Sequence, residues 1–465
     1  MVFSEPVFMF LFLPVSLLLY YAVPFRFKNA VLFLTGLLFY AWGEPVFVLI
    51  MILSTLIDYC AGRVMDKFDD SAIIRKTALI VSVVMNLSLL GIFKYSGFLI
   101  DSVNSVFGDV LQNPNLPLPI GISFFTFQSM SYTIDLYRRN IKVQKNFISF
   151  AAFVTMFPQI VAGPIVLYDD VAKELESRRI DFESVSNGIS IFICGLCKKV
   201  LIANSVGELW NDVKAAEYSS LPAATAWLGI IAFTLQIYFD FSGYSDMAVG
   251  LGKMLGFNFP KNFNYPYTSK TVSEFWRRWH MTLGGWFKSY VYFPLGGSKN
   301  GKLNTIRNLL IVWFLTGMWH GASWNFIIWG VYYGIILILE KFVFAKVMQK
   351  IPAAITRIYT LLAVIIGWVI FEITSPVLEL KFIAAMFGSS GSFFDVFTLN
   401  MLHNYGITFI IAIIIATGLP LKICKKIFEN RKLEILQIAG EALGMTACIA
   451  YLVDATYNPF LYFNF

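Results

Sequence analysis

The chain has 465 residues, of which 57% are hydrophobic, 17% aromatic and 14% charged, and its formal net charge is +7. This is far more apolar surface than a soluble core of that size hides, so lipid must cover the surplus and a soluble globular enzyme is excluded. The excess positive charge does not point to nucleic acid, because Lys and Arg sit in short clusters between apolar runs, where the positive-inside rule places them.

Apolar runs of spanning length recur from one end to the other, and no polar stretch is long enough for an independent soluble domain. The sequence therefore predicts an all-α integral membrane protein built as one membrane domain, residues 1–465. Roughly 11 spanning helices are expected, together with re-entrant or interfacial helices. The first run, Val7 to Tyr21, has nothing basic before it and no small-x-small cleavage site after it, so it is expected to span rather than to be a cleaved signal peptide. Arg26 and Lys28 follow it, and Arg63, Lys67, Arg75 and Lys76 follow the third run. The segment Asp101 to Leu116 carries no Lys or Arg.

The run that begins near Pro117 presents a polar face, Ser123, Thr126, Gln128, Ser129 and Ser131, which reads equally as helix-to-helix hydrogen bonding or as a lining. Arg138, Arg139, Lys142 and Lys145 close it. Assigning the basic clusters to the cytoplasm, including Lys67, Lys142 and Lys425, puts both termini outside, with the Lys422 to Lys432 cluster before the last helix.

Two stretches depart from simple spans. Phe147 to Tyr168 is apolar but broken by Pro158, Gly163 and Pro164 and bracketed by basic residues, so it is expected to enter and leave on one face beside a cavity. Lys253 to Arg307 mixes nine Lys or Arg residues with Trp, Tyr and Phe, an interfacial layer on the cytoplasmic side. Gly250, Gly252 and Gly256 have no strand around them and read as close helix packing. Cys194 and Cys197 form a CxxC with no second ligand pair nearby, so no metal site is expected among the five cysteines.

The chain has three histidines. His320 lies in Thr316-Gly-Met-Trp-His-Gly-Ala-Ser-Trp324, inside an apolar stretch, where a neutral imidazole is either a proton-transfer group or a satisfied packing residue. His280 lies in Glu274-Phe-Trp-Arg-Arg-Trp-His280, within the basic aromatic layer, and His403 reads as background. Asp240 and Asp246, set among hydroxyl groups, suit orienting a histidine, binding a cation or capping a broken helix end.

These blocks, with Leu118-Pro-Ile-Gly-Ile-Ser-Phe-Phe-Thr-Phe-Gln128, Phe157-Pro-Gln-Ile-Val-Ala-Gly-Pro-Ile165 and Asp240-Phe-Ser-Gly-Tyr-Ser-Asp246, stand in the order found in membrane-bound O-acyltransferases. The opening Met1-Val-Phe-Ser and the ending Asn458-Pro-Phe-Leu-Tyr-Phe-Asn-Phe465 resemble the alginate O-acetyltransferase branch. One departure is Leu167, where the family pattern leads one to expect Arg; if that Arg touches the donor's acidic part, donor recognition shifts here to another basic residue.

The resemblance implies acyl transfer through a central membrane tunnel, with His320 and His280 as the two motif histidines. The donor is a thioester, acetyl-CoA or an acyl carrier protein, and no cofactor is bound. The acceptor is a hydroxyl approached from outside. It belongs to a secreted polysaccharide or to a relay protein such as a secreted SGNH-type acetyltransferase, and the location is the bacterial inner membrane. A positioned base activates such a hydroxyl by roughly 10²- to 10⁴-fold. Trp319, the Ser242 or Ser323 hydroxyl, or His280 suits the developing oxyanion, Asp240 suits substrate binding, and Arg277, Arg278 and Lys288 suit the donor's acidic groups. The rival reading, a transporter or flippase for an acyl or lipid-linked sugar group, has no need of two such histidines.

Overall fold

The computed structural model describes residues 1–420, 423, 434–454, 458, 460 and 461. Among the described residues the chain is helical and contains no strand. Eight helices are long and apolar enough to cross a membrane: Val48–Lys67, Ala72–Phe107, Phe182–Lys214, Ala223–Met254, Trp324–Met348, Ala353–Glu372, Val396–Ala416 and Ile435–Asp454. Three more, Phe25–Gly43, Ile122–Tyr137 and Gly301–His320, at 19, 16 and 20 residues, are shorter or more polar. The first apolar run forms a continuous helix only over Phe8–Ala22. At 1.5 Å per residue that is about 22 Å, short of the roughly 30 Å hydrocarbon core. The expected Lys422 to Lys432 cluster, with Lys425, lies outside the described residues.

The chain packs as two compact units, Met1–Phe192 with Ser245–Pro260, and Ile193–Tyr244 with Lys261–Phe465. In the first unit, the segment expected to be re-entrant begins as a helix of nine residues, Phe147–Thr155, and continues as turns from 157 to 163. Nine residues reach about 13 Å, less than half a bilayer core. Every residue from Phe150 to Val154 is fully buried, as irregular backbone at membrane depth requires. The close fit has a sequence cause: a Cβ on Gly36 would fall 1.9 Å from the Thr155 carbonyl oxygen, so only glycine lets the helix Phe25–Gly43 approach.

The polar face of Ile122–Tyr137 is buried and spent on packing. Gln128 Nε2 donates to the Phe153 carbonyl at 2.9 Å, Ser131 Oγ to the Gln128 carbonyl at 2.6 Å, and Ser123 Oγ accepts from Lys94 at 3.3 Å. Of the two readings left open, helix-to-helix hydrogen bonding describes Gln128 and Ser123, whereas Ser131 bonds within its own helix. Asp58 is likewise buried, accepting from Asn86 Nδ2 at 2.9 Å and from Ser82 Oγ.

In the second unit the basic aromatic stretch divides its residues by side. It folds into short helices, Val272–Arg278 and Met281–Phe287, and a π turn, Lys288–Tyr292, too short to cross a bilayer. Phe275, Trp279, Trp286 and Tyr290 are buried, while Arg277 and Lys288 are exposed. Trp276 meets Trp313, Trp329 and Tyr333 edge-on at 4.8, 5.4 and 4.8 Å between ring centroids. The aromatic groups expected at the lipid interface thus form part of a core. Buried Glu340 fixes the start of Val272–Arg278: its Oε1 and Oε2 accept the Val272 and Ser273 N–H groups at 2.7 and 2.8 Å, satisfying helix-end donors with a charge that suits the positive end of the dipole.

Gly301–His320 and Trp324–Leu339 form a hairpin whose helices touch through glycine. A Cβ on Gly317 would stand 2.3 Å from the Phe326 carbonyl oxygen, and one on Gly330 2.3 Å from the Trp313 carbonyl oxygen. Asn325 Nδ2 donates to the Phe371 carbonyl at 2.8 Å and joins Ala353–Glu372 to the hairpin.

Candidate active site

His320 is the last residue of Gly301–His320, so the end of the hairpin helix sets its position. It is 7% exposed, and its imidazole lies edge-on to Trp319, Trp329 and Phe371 at 5.0, 5.0 and 5.3 Å. With Asp240, Leu461 and the rings of Phe241, Trp279, Trp329, Trp368 and Phe371 it lines a cavity in the second unit. Some 20 Å³ are open to the centre of a water-sized sphere, room for one or two waters.

His280 stands between the two short helices with φ 43°, in the left-handed region that a non-glycine residue seldom adopts. Flanking backbone holds it there, Met281 N–H donating to the Asn262 carbonyl and Asn264 N–H to the Arg278 carbonyl, both at 2.9 Å. Such strain persists where the surroundings over-determine it, commonly at functional positions. Asn262 Oδ1 accepts from Thr282 N and Oγ1 at 3.2 and 3.0 Å and lies 3.1 Å from His280 Nδ1. That network assigns the proton to Nδ1 and the lone pair to Nε2. Burial pushes the imidazole down to about 3, so it is neutral at physiological pH. Its ring meets Phe241 at 4.7 Å and Trp319 at 5.8 Å, so Trp319 packs against both imidazoles.

Asp240 does not orient a histidine. Its Oδ1 lies 2.8 Å from Lys199 Nζ, with the two side chains 3% and 2% exposed, and its Oδ2 accepts the Leu461 N–H at 2.9 Å. Lys199 rides on a π turn, Lys198–Ala203, and also donates to Asn204 Oδ1 at 2.9 Å. Asn204 Nδ2 in turn reaches Asn458 Oδ1 at 3.2 Å. A π turn in an otherwise α-helical segment often marks a functional position.

The membrane-bound O-acyltransferase family profile matches residues 124–378, which contain both histidines and Asp240. The chain belongs to this family. It is 40% identical over 391 residues to the probable alginate O-acetylase of Pseudomonas aeruginosa, covering 83% of this chain and 75% of the relative. The probable alginate O-acetylase of Pseudomonas putida is 36% identical over the full length of both chains. The peptidoglycan O-acetyltransferase of Helicobacter pylori is 30% identical, covering all of this chain and 98% of the relative. This acyltransferase is therefore a multi-pass membrane enzyme.

The other residues singled out in the sequence of the acyltransferase lie apart from the cavity lining. Trp319 is buried between the imidazoles. Ser242 is 1% exposed, and its Oγ has no hydrogen-bond partner among the described residues. Ser323 is half-buried at the start of Trp324–Leu339. Arg278 pairs with Glu274 and donates to Thr268 Oγ1 at 3.0 Å, whereas Arg277 is exposed with no ion pair among the described residues. Lys288 is exposed, its Nζ 5.5 Å from the Phe293 ring centroid. His403 is exposed on Val396–Ala416.

Sequence reasoning missed Lys199, Asn262 and Leu461. The signal for Lys199 was a lysine inside the apolar span Phe182–Lys214, because a charge at that depth needs a countercharge and Asp240 was a candidate. Leu461 lies in the ending Asn458–Phe465 that carries the resemblance but had no role assigned to it, and nothing in the sequence marked Asn262.

Proposed function

We propose that this acyltransferase takes an acetyl group from a cytoplasmic thioester, acetyl-CoA or an acyl carrier protein, and passes it to a hydroxyl on the outer side, for O-acetylation of a secreted or cell-surface polysaccharide. The observation that carries the reading is the pair of buried imidazoles on Trp319, one of them, His320, on a cavity. His320 removes the hydroxyl proton as the oxygen attacks the thioester carbonyl; the new C–O ester bond forms, the C–S bond breaks, and the proton passes to the departing thiolate. His280, neutral and ring-packed on Trp319, helps to hold the dry polar site, and the Trp319 or Ser242 donor suits the oxyanion. Arg277 and Lys288, exposed and on one short stretch, suit the acidic groups of the donor. Arg278, engaged with Glu274, is less available.

The names of the relatives, alginate O-acetylase and peptidoglycan O-acetyltransferase, support an envelope or exported polymer as the final acceptor. A secreted SGNH-type acetyltransferase or similar relay is the partner that suits an exported one. The location is the bacterial inner membrane, with both termini outside and Lys67 and Lys142 in the cytoplasm. The test is the purified enzyme in proteoliposomes supplied with labelled acetyl-CoA or an acetylated carrier protein. Thiol release that depends on a hydroxyl acceptor across the bilayer is expected. Movement of an intact acyl or sugar carrier with no thiol release from either donor overturns the reading in favour of a transporter.

A further inference from the structure

We propose that Lys199 is a positioning residue that seats Asn458, Phe460 and Leu461 at the His320 cavity. One ammonium serves two tethers. Through Oδ1 of Asp240, at 2.8 Å, it fixes the carboxylate so that Oδ2 meets the Leu461 N–H at 2.9 Å. Through Asn204 Oδ1, also at 2.9 Å, it fixes an amide that donates to Asn458 at 3.2 Å. Between the tethers, Phe460 stacks on Tyr244, 4.5 Å between centroids and 29° between planes. Leu461 then lines the cavity together with His320 and Asp240.

The chemistry explains why a charge is used where a neutral hydrogen bond would also reach. A buried carboxylate with one cation partner is restrained in rotation, so its second oxygen is a well-placed acceptor for a backbone N–H. Without the ammonium the same carboxylate loses the group that restrains its rotation, and it turns toward water or another donor. Once turned, it gives up the Leu461 N–H, and the cavity loses a wall. Lys199 lies on the π turn Lys198–Ala203 and from there reaches Asp240 and Asn204 together.

The activity readout rests on the acetyl-transfer reading above, whereas the labelling readout does not, so the two can fail separately. The full-length enzyme is purified carrying Leu461→Cys, with and without Lys199→Met, and maleimide labelling at position 461 is followed by peptide mass spectrometry. Lys199→Met is expected to raise the labelling rate at least tenfold. In the chain without the cysteine probe it should lower turnover at least tenfold at unchanged protein yield, while Lys199→Arg keeps most of both. Removing residues 458–465 should produce the same loss of turnover, and adding Lys199→Met to that truncation should cost nothing more. If Lys199→Met does not accumulate, Leu461→Pro, which deletes the N–H given to Asp240 together with the leucine side chain, is expected to lose more turnover than Leu461→Ala, which trims the side chain but keeps the N–H. Unchanged labelling at 461, turnover in Leu461→Pro as high as in Leu461→Ala, or additive losses in the truncated background would each overturn the proposal.

Discussion

Replacing His320 by Gln keeps a polar side chain of similar reach but removes the imidazole to which we assign proton transfer. The imidazole touches three aromatic rings at centroid distances of 5.0, 5.0 and 5.3 Å. Ring pairs of this kind contribute about 0.5 to 1.5 kcal/mol each beyond area burial. A glutamine amide recovers part of that contact, so a net stability loss of about 1 to 2 kcal/mol is expected. Loss of a general base removes roughly 10²- to 10⁴-fold in rate, which is about 2.7 to 5.4 kcal/mol in the activation barrier. The barrier effect therefore exceeds the folding effect, and the two are separable. The assay is acceptor-dependent thiol release by purified protein, with melting in detergent measured on the same preparation. A Gln variant that melts within a few degrees of the parent should lose at least 100-fold in turnover. Turnover within threefold of the parent in a normally folded Gln variant refutes the base assignment, which would then pass to His280.

Arg277 and Arg278 should part company: Arg277→Gln raises the donor KM by about tenfold, as one lost charge-assisted contact would, with yield unchanged, whereas Arg278→Gln, which strands Glu274, lowers yield more than it raises KM. The neutral His280 makes stability depend on pH. Its folded value, about 3, lies below the ordinary 6.5, so below pH 6.5 the unfolded chain binds a proton that the folded chain does not. Stability should fall by about 1.4 kcal/mol per pH unit from 6.5 down towards 3, and thermal melting of His280→Gln across that window should show a shallower decline. Glu340→Ala leaves the Val272 and Ser273 N–H groups without their acceptor and should cost about 2 kcal/mol, read as a lower melting temperature with reduced turnover. For the orientation of the chain, a cysteine placed at 142 should stay unlabelled by an impermeant maleimide in intact cells, and labelling there would reverse the assignment.

The elements most legible in the sequence are those whose cause is local. Long apolar runs gave the spanning helices, and Pro158, Gly163 and Pro164 announced the broken segment after Phe147–Thr155. The His320 and His280 blocks were legible because a scarce residue in an apolar setting stands out. What stayed hidden is long-range. Asp240 was recognised as unusual, but its countercharge lies 41 positions earlier and its second partner is a backbone N–H at Leu461, which no side chain advertises. The aromatic layer was misjudged for a related reason: Trp276 and Trp279 have the composition of interface anchors, and only the docking of the hairpin on the first and of Ala353–Glu372 on the second turns them into core.

The makeup of the cavity also carries an order of events in synthesis. His320 and Trp329 belong to a hairpin of neighbouring helices, closed by Gly317 and Gly330, that can zip up as soon as both helices have entered the membrane. Leu461, which completes the same cavity, leaves the ribosome 122 residues after the hairpin ends at Leu339 (461 − 339). Until then His320 would stand in a pocket with one side missing. A nascent or prematurely terminated chain could therefore insert, pair its helices and resist degradation while remaining catalytically silent, and abundance measured by antibody would overstate the amount of working enzyme.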